Sequence, residues 1–301
     1  MAGNFLPHVR ARLNETFKSD SFQWFDRAYV VDWIVVSLAW LCAWAIKGLT
    51  PFERVFTLND PLIGHDHKPN QISGDSTWFI ALLVPLLFIV VVGTLRTSAL
   101  EIHHGALALW AARGSNALIT EALKNRVGRL RPDFLSRCKW TQSLETCSGK
   151  LDKVMDGRRS FPSGHSSTAF CGMMFLALWL AGTTGTWSFH RPSTARSLFS
   201  SKQLRMLITV APLGFATWVA ISRLEDNRHH KEDVIVGSVI GIVTATVAYL
   251  IYWPNPFTLR NADLDRGAAR PRLVYRHAEL GDSRNDNYDY ELAEQHGSEN
   301  V

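Results

Sequence analysis

Residues 77–95 carry no charged side chain, and a helix of that length crosses the roughly 30 Å hydrocarbon core of a bilayer. Pro85 inside the run is no obstacle, because neighbouring helices can satisfy the carbonyl it frees. Hydrophobic residues make up 47% of the 301-residue chain. That share is ordinary for a soluble protein, but here it is gathered into blocks separated by charged connectors. Similar blocks lie at 29–46, 166–180, 207–221 and 234–252, with a more polar one at 104–123 that contains Arg113 and Glu121. The expected fold is all-α: a polytopic membrane protein with six transmembrane helices, forming one domain over residues 29–253. A polar lead-in (1–28) with room for a short amphipathic helix precedes it. A charged tail poor in apolar residues (254–301) follows and reads as disordered. The first residues contain Arg10, Arg12 and Lys18 but no apolar stretch of the signal-peptide type.

Charge orients the spans. The 184–205 loop holds Arg191, Arg196, Lys202 and Arg205 and no acid, marking it as cytoplasmic. Six spans then place both termini on the same side, and put the connectors at 47–76, 124–162 and 222–233 on the opposite, lumenal or extracellular face. Yet 124–162 contains ten cations against four acids, a net +6. Anion binding is a reason for such a departure from the positive-inside bias, although long loops also translocate regardless of charge.

Cys42 and Cys171 sit in apolar blocks as packing residues, while Cys138 and Cys147 share the long polar connector. In an oxidising compartment the latter two could form a small-loop disulfide worth about 2–3 kcal/mol; otherwise they are loop thiols. In the 104–123 block, Arg113, Asn116, Thr120 and Lys124 fall on one helix face. Arg113 and Asn116 suit helix–helix contacts, whereas Lys124 belongs with the connector's chemistry.

Three groups of residues fall at expected helix ends on the same membrane face: Lys124 with Arg131-Pro132, then Ser163-Gly164-His165, then Ser222-Arg223 with His229 and Asp233. Pro162-Ser163-Gly164 just before an apolar run reads as a helix start offering backbone N–H groups to an anion. His229 and Asp233 are four residues apart, close enough for the carboxylate to hold one imidazole N–H and leave the other nitrogen free to attack. Two histidines divide the labour of nucleophile and acid–base, and Lys124, Arg131 and Arg223 supply cations for a phosphoryl group. His230 adjoins His229, but only His229 has the four-residue spacing to Asp233. A metal site from His229, His230, Glu232 and Asp233 is poor ligand geometry, since adjacent helical side chains point apart. Gly237 and Gly241 continue the four-residue period and admit a close helix neighbour. Arg126, Arg129, Arg158 and Arg159 either steer anionic headgroups or touch membrane phosphates. His65, His67, His103 and His104 fit surface or interfacial positions.

These three groups, in this order and spacing, resemble the three-part motif of the type 2 phosphatidic acid phosphatase superfamily. The flanks Gly128-Arg129-Leu130 and Asp133-Phe134-Leu135 look like its lipid phosphate phosphatase branch, most of all the fungal diacylglycerol pyrophosphate phosphatases. The resemblance covers about residues 29–253. It implies that His229 becomes a phosphohistidine, that Asp233 orients it, and that His165 protonates the leaving oxygen and later activates water. Lys124, Arg131, Ser163, Gly164 and Arg223 would hold the phosphate, with no metal or other cofactor. The implied activity is Mg-independent hydrolysis of diacylglycerol pyrophosphate, phosphatidate and related lipid phosphates; the alternatives are a sphingoid-base phosphate phosphatase or a non-catalytic lipid transporter of the same fold. The expected partner is a phospholipid in the bilayer and not a nucleic acid. A vacuolar, secretory-pathway or plasma membrane would suit the lumenal or extracellular site.

Overall fold

The computed structural model describes residues 5–188, 201–258, 264–265 and 268–275. Within them the long helices are α2 (Arg27–Lys47), α3 (Gly74–Leu95), α4 (Ala99–Val127), α7 (Gly164–Thr184), α8 (Lys202–Glu225) and α9 (Lys231–Tyr252). A lead-in helix α1 (Phe5–Thr16) precedes them, and the polar connector between α4 and α7 folds into short helices α5 (Phe134–Cys138) and α6 (Leu151–Gly157). Between these two, Trp140–Thr141 pairs antiparallel with Thr146–Cys147, and Cys138 and Cys147 are joined as a disulfide.

Among the described residues, five helices (α2, α3, α7, α8 and α9) are long and apolar enough to cross a membrane. The sixth expected span, α4, has the length at 29 residues but is more polar, because its buried face carries Arg113, Asn116 and Thr120. Those groups do join helices. Arg113 Nη1 donates to Thr168 O at 3.2 Å, and Asn116 and Thr120 both reach Ser167 Oγ on α7. Exposed apolar side chains such as Val35 and Leu38 on α2, Leu87 on α3 and Val243 and Val247 on α9 give these helices the outward faces that lipid requires.

The most buried helix is α7, which packs against α3, α4, α8 and α9. Its contact with α9 depends on two glycines: a Cβ at Gly237 would lie 2.5 Å from Ser163 O, and one at Gly241 would lie 2.4 Å from Ser167 O. A methyl group at either position would push the helices apart. Capping fixes where the helices begin. Ser163 caps α7, Ser73 caps α3, and Asp233 Oδ2 accepts from His230 N (3.0 Å) at the start of α9.

At the end of the bundle away from α7's first turn, the sequence expectation of a disordered tail is modified. Within the described part, Arg272 N donates to Tyr252 O, Tyr275 Oη donates to Asp32 at 2.9 Å, and Arg270 pairs with the buried Glu101. The tail supplies a partner to the buried Glu101 of α4 and a hydroxyl to the partly buried Asp32 of α2. His104, expected near the surface, is fully buried in the same region against Tyr29 Oη (3.1 Å). Arg191 and Arg196, which carry the charge reading of the 184–205 loop, lie outside the described residues.

Candidate active site

The C-termini of α4 and α8 and the N-termini of α7 and α9 meet at one end of the bundle, bringing the three sequence groups together. Lys124 and Arg223 occupy the last turns of α4 and α8, where a cation complements the helix dipole. Lys124 Nζ lies against the start of α7 so closely that a Cβ at Gly164 would come within 2.7 Å of it. Only glycine leaves that ammonium its place.

Each of the three candidate phosphate-binding cations is steered by a carboxylate outside the motif. Lys124 Nζ bonds Glu121 Oε1 at 2.6 Å, and Arg159 takes the other oxygen at 2.7 Å. Arg131 donates to Asp156 O and Oδ1, both at 2.9 Å, while Arg137 holds Asp156 Oδ2 at 2.7 Å. Arg223 bonds Asp226 Oδ2 at 2.8 Å and Asn70 Oδ1 at 3.3 Å. Glu121 and Asp156 are each shared by two cations, so the positive charge is oriented without being cancelled. Burial alone would raise the pKa of Asp156, but Arg131 and Arg137 hold it well below the carboxylate range.

His229 is 4% exposed, and its Nδ1 lies 2.7 Å from the carbonyl oxygen of Ser160. A carbonyl only accepts, so Nδ1 carries the proton and Nε2 is left with its lone pair. Asp233 Oδ2 stands 3.7 Å from Nδ1, an ion-pair distance and not a hydrogen bond. The expectation that Asp233 holds the imidazole N–H is corrected accordingly: Ser160 O does that. Asp233 bonds instead to Ser160 Oγ (2.6 Å), Arg129 Nη1 (2.8 Å) and His230 N. Burial, reinforced by Arg131 and Lys124 and opposed by Asp233, pushes the pKa of His229 down to about 4, so the imidazole is neutral at pH 7.

His165 is the second residue of α7, with its Cε1 and Nε2 facing the start of α3 at Gly74. Its buried Nε2 has no hydrogen-bond partner among the described residues, and it lies in electrostatic reach of Arg223, His229, Arg131 and Lys124. Ser163 contributes less than expected to an anion cradle. Its N–H is committed to Asp233 O (2.9 Å), and its Oγ caps α7. The first-turn N–H groups of Gly164 and His165 lack intrahelical acceptors and are the donors α7 can offer.

The sequence gives no sign of the roles of Ser160, Asp156 and Asp226. Arg129 and Arg159, expected to steer anionic headgroups or touch membrane phosphates, pair with Asp233 and Glu121. Glu121, likewise outside the expected site, has a usable signal, its three-residue spacing to Lys124. Ser160 acts through a carbonyl that every residue possesses. His230 Nδ1 lies 3.3 Å from Asp233 Oδ2, nearer than His229 Nδ1 does, while its Nε2 reaches Leu62 O at 3.1 Å.

A helical, membrane-spanning fold with a cation-lined polar site at one end, built around two histidines, defines the class. The family model described as PAP2 superfamily matches residues 105–257, and the chain belongs to that superfamily. It is 32% identical to Lipid phosphate phosphatase 2 of Arabidopsis thaliana over 86% of each chain. It is 36% identical to Probable diacylglycerol pyrophosphate phosphatase 1 of Schizosaccharomyces pombe, covering 72% of this chain and 77% of the relative. With Diacylglycerol pyrophosphate phosphatase 1 of Saccharomyces cerevisiae the identity is 34%, over 68% and 72% respectively. No solved structure matches the chain.

Proposed function

We propose that this chain is an integral-membrane lipid phosphatase that hydrolyses diacylglycerol pyrophosphate, phosphatidate and related lipid phosphates without a metal ion. One observation carries the reading: a neutral, buried His229 with its Nδ1 proton fixed by Ser160 O sits in the field of Lys124 and Arg131, with a second histidine whose Nε2 has no partner among the described residues. His229 Nε2 attacks phosphorus as the P–O bond to the leaving group breaks, giving a phosphohistidine. His165 delivers a proton to the leaving oxygen. In the second half a water attacks the phosphorus, His165 takes its proton, the P–N bond breaks and phosphate departs. Lys124, Arg131, Arg223 and the N–H groups of Gly164 and His165 stabilise charge on the equatorial oxygens. A phosphoryl dianion among these cations also favours the protonated form of His165 that the first step needs.

The test is phosphate release from mixed micelles of diacylglycerol pyrophosphate, phosphatidate and a sphingoid-base phosphate, with and without excess chelator. The expected result is release from the glycerolipids that a chelator leaves unchanged, and slower release from the sphingoid substrate. Dependence on added Mg²⁺ would overturn the mechanism.

In this reading α4 is the sixth crossing, the site faces the lumen or cell exterior, and both termini are cytoplasmic. The disulfide in the 128–163 cap supports that orientation, because disulfides persist in oxidising compartments. Asn14-Glu15-Thr16 is a glycosylation sequon, and it should stay unmodified when the chain is made in a secretory membrane. A glycan on Asn14 would reverse the topology.

A further inference from the structure

The cap over the active site contains a cavity of about 300 Å³ between the disulfide hairpin, α6 and the connector before α3. Phe56 and Trp140 form an aromatic corner in it, their rings meeting edge-on at 5.7 Å. Glu53 and Glu145 lie on its wall, and Arg158 lines it as a cation only 7% exposed. The Arg158 guanidinium lies 5.3 Å from the centroid of the Phe134 ring and 5.9 Å from that of Phe56. Its hydrogen bonding is incomplete. Nη1 donates to Arg54 O at 3.1 Å, Nη2 meets Glu53 only at 3.4 Å, and the buried Nε has no partner among the described residues. None of the cavity's residues takes part in the phosphoryl transfer described above.

The lining selects among ligands by charge. A lone dianion would meet the two carboxylates, and a lone cation would meet Arg158; either would be taken from water toward a like charge. A zwitterion with a phosphate next to an ammonium satisfies both signs at once. A quaternary ammonium gains further from the Trp140 ring. Leu151, which lines the cavity and is 70% exposed, makes an apolar lip, with the exposed Leu144 and Val55 on the flanking hairpin and connector. An apolar lip on a polar pocket suits a headgroup that arrives attached to acyl chains.

We propose that this cavity is a binding site for a phosphocholine-type zwitterionic phospholipid headgroup, separate from the hydrolytic site and occupied by bulk bilayer lipid. The phosphate bonds Arg158, opening its long contact with Glu53, and the ammonium sits in the Phe56–Trp140 corner near Glu53 and Glu145. Bound there, a bilayer lipid fastens the cap to the membrane surface beside the catalytic groups.

The experiment uses the full chain purified in a maltoside detergent, which carries no phosphocholine, and measures binding by titration calorimetry. The probes are dihexanoylphosphatidylcholine below its micelle concentration, free phosphocholine and inorganic phosphate. Saturable binding of the short-chain lipid is expected, with weaker binding of free phosphocholine and none of phosphate at this site. Trp140→Leu should weaken the lipid about tenfold, the scale of a desolvated cation–π contact. Because Trp140 also packs against Phe56, Glu145→Gln on the exposed hairpin serves as a second variant that leaves the packing intact, and it should weaken choline-bearing probes. His229→Ala should bind the lipid as the unsubstituted protein does, which separates this site from the hydrolytic one. No saturable lipid binding, equal binding by Trp140→Leu and Glu145→Gln, or loss of binding in His229→Ala would each overturn the proposal.

Discussion

Alanine at position 229 is expected to leave lipid binding intact while lowering phosphate release by roughly 10³-fold or more, the scale seen when a covalent nucleophile is removed. The imidazole contributes a neutral Nε2 held in one tautomer by a 2.7 Å bond to Ser160 O. Alanine removes that nitrogen and leaves the cations in place. Lys124, Arg131 and Arg223 are tethered by Glu121, Asp156 and Asp226 and not by His229, so the phosphate should still dock and KM should change little. His165→Ala offers the complementary experiment. It removes the proton donor for the first step and the base for the second, so its penalty depends on the leaving group. With diacylglycerol pyrophosphate, whose leaving group is a phosphate and needs little protonation, a phosphoenzyme should still form and then persist. Acid-stable seryl phosphate, or label retained by His229→Ala, would show that the nucleophile is elsewhere.

The parts of the site legible in the sequence were those written as local patterns. Ser163-Gly164-His165 and the His229–Asp233 spacing each lie at one helix start, and Arg131-Pro132 lies just past the end of α4, so a period of four, a helix start and a short contiguous pair were enough to see them. Parity of the apolar blocks then placed them on one face, and the structure does bring them together. Contacts depending on the path of the chain were not legible. Arg129 reaches Asp233 across 104 positions, and nothing in its own neighbourhood separates it from Arg126, which stays exposed. Apolarity marked the helices but stopped about a turn short of several ends. Such ends are polar by necessity: α7 begins at Gly164 and α8 at Lys202, where caps and charged first turns replace the lipid-facing pattern. The same logic hid the far end of the bundle. There the buried Glu101 is paired by a returning tail segment whose composition alone reads as disordered.

Asparagine at position 233 is the sharper test of how the nucleophile is tuned. If Asp233 worked by holding the imidazole N–H, its loss would free the ring and the tautomer. The structure gives that task to the Ser160 carbonyl, which no side-chain substitution removes. What Asp233 supplies is a negative charge 3.7 Å from Nδ1, worth about 4 kcal/mol to a developing positive ring at an effective dielectric near 20. It also neutralises Arg129, bonded to it at 2.8 Å. Asp233→Asn therefore removes an attraction and leaves Arg129 paired with Glu232 alone, at 3.1 Å, and kcat should fall roughly 10²- to 10³-fold with little change in KM. The pH dependence fixes the sign. Asp233 raises the pKa of His229 against the lowering effect of burial, so its removal must move the acid limb of kcat/KM to lower pH, not higher. Ser160→Ala keeps the carbonyl and loses the hydroxyl's bond to Asp233 and its long 3.5 Å contact with His229 Nδ1, so its penalty should be about tenfold. Removing the guanidinium with Arg129→Leu should recover part of the Asp233→Asn defect, a coupling that a double-mutant cycle measures. Strictly additive penalties, or Asp233→Asn within about threefold of the unsubstituted rate, would mean that Asp233 serves only to cap α9.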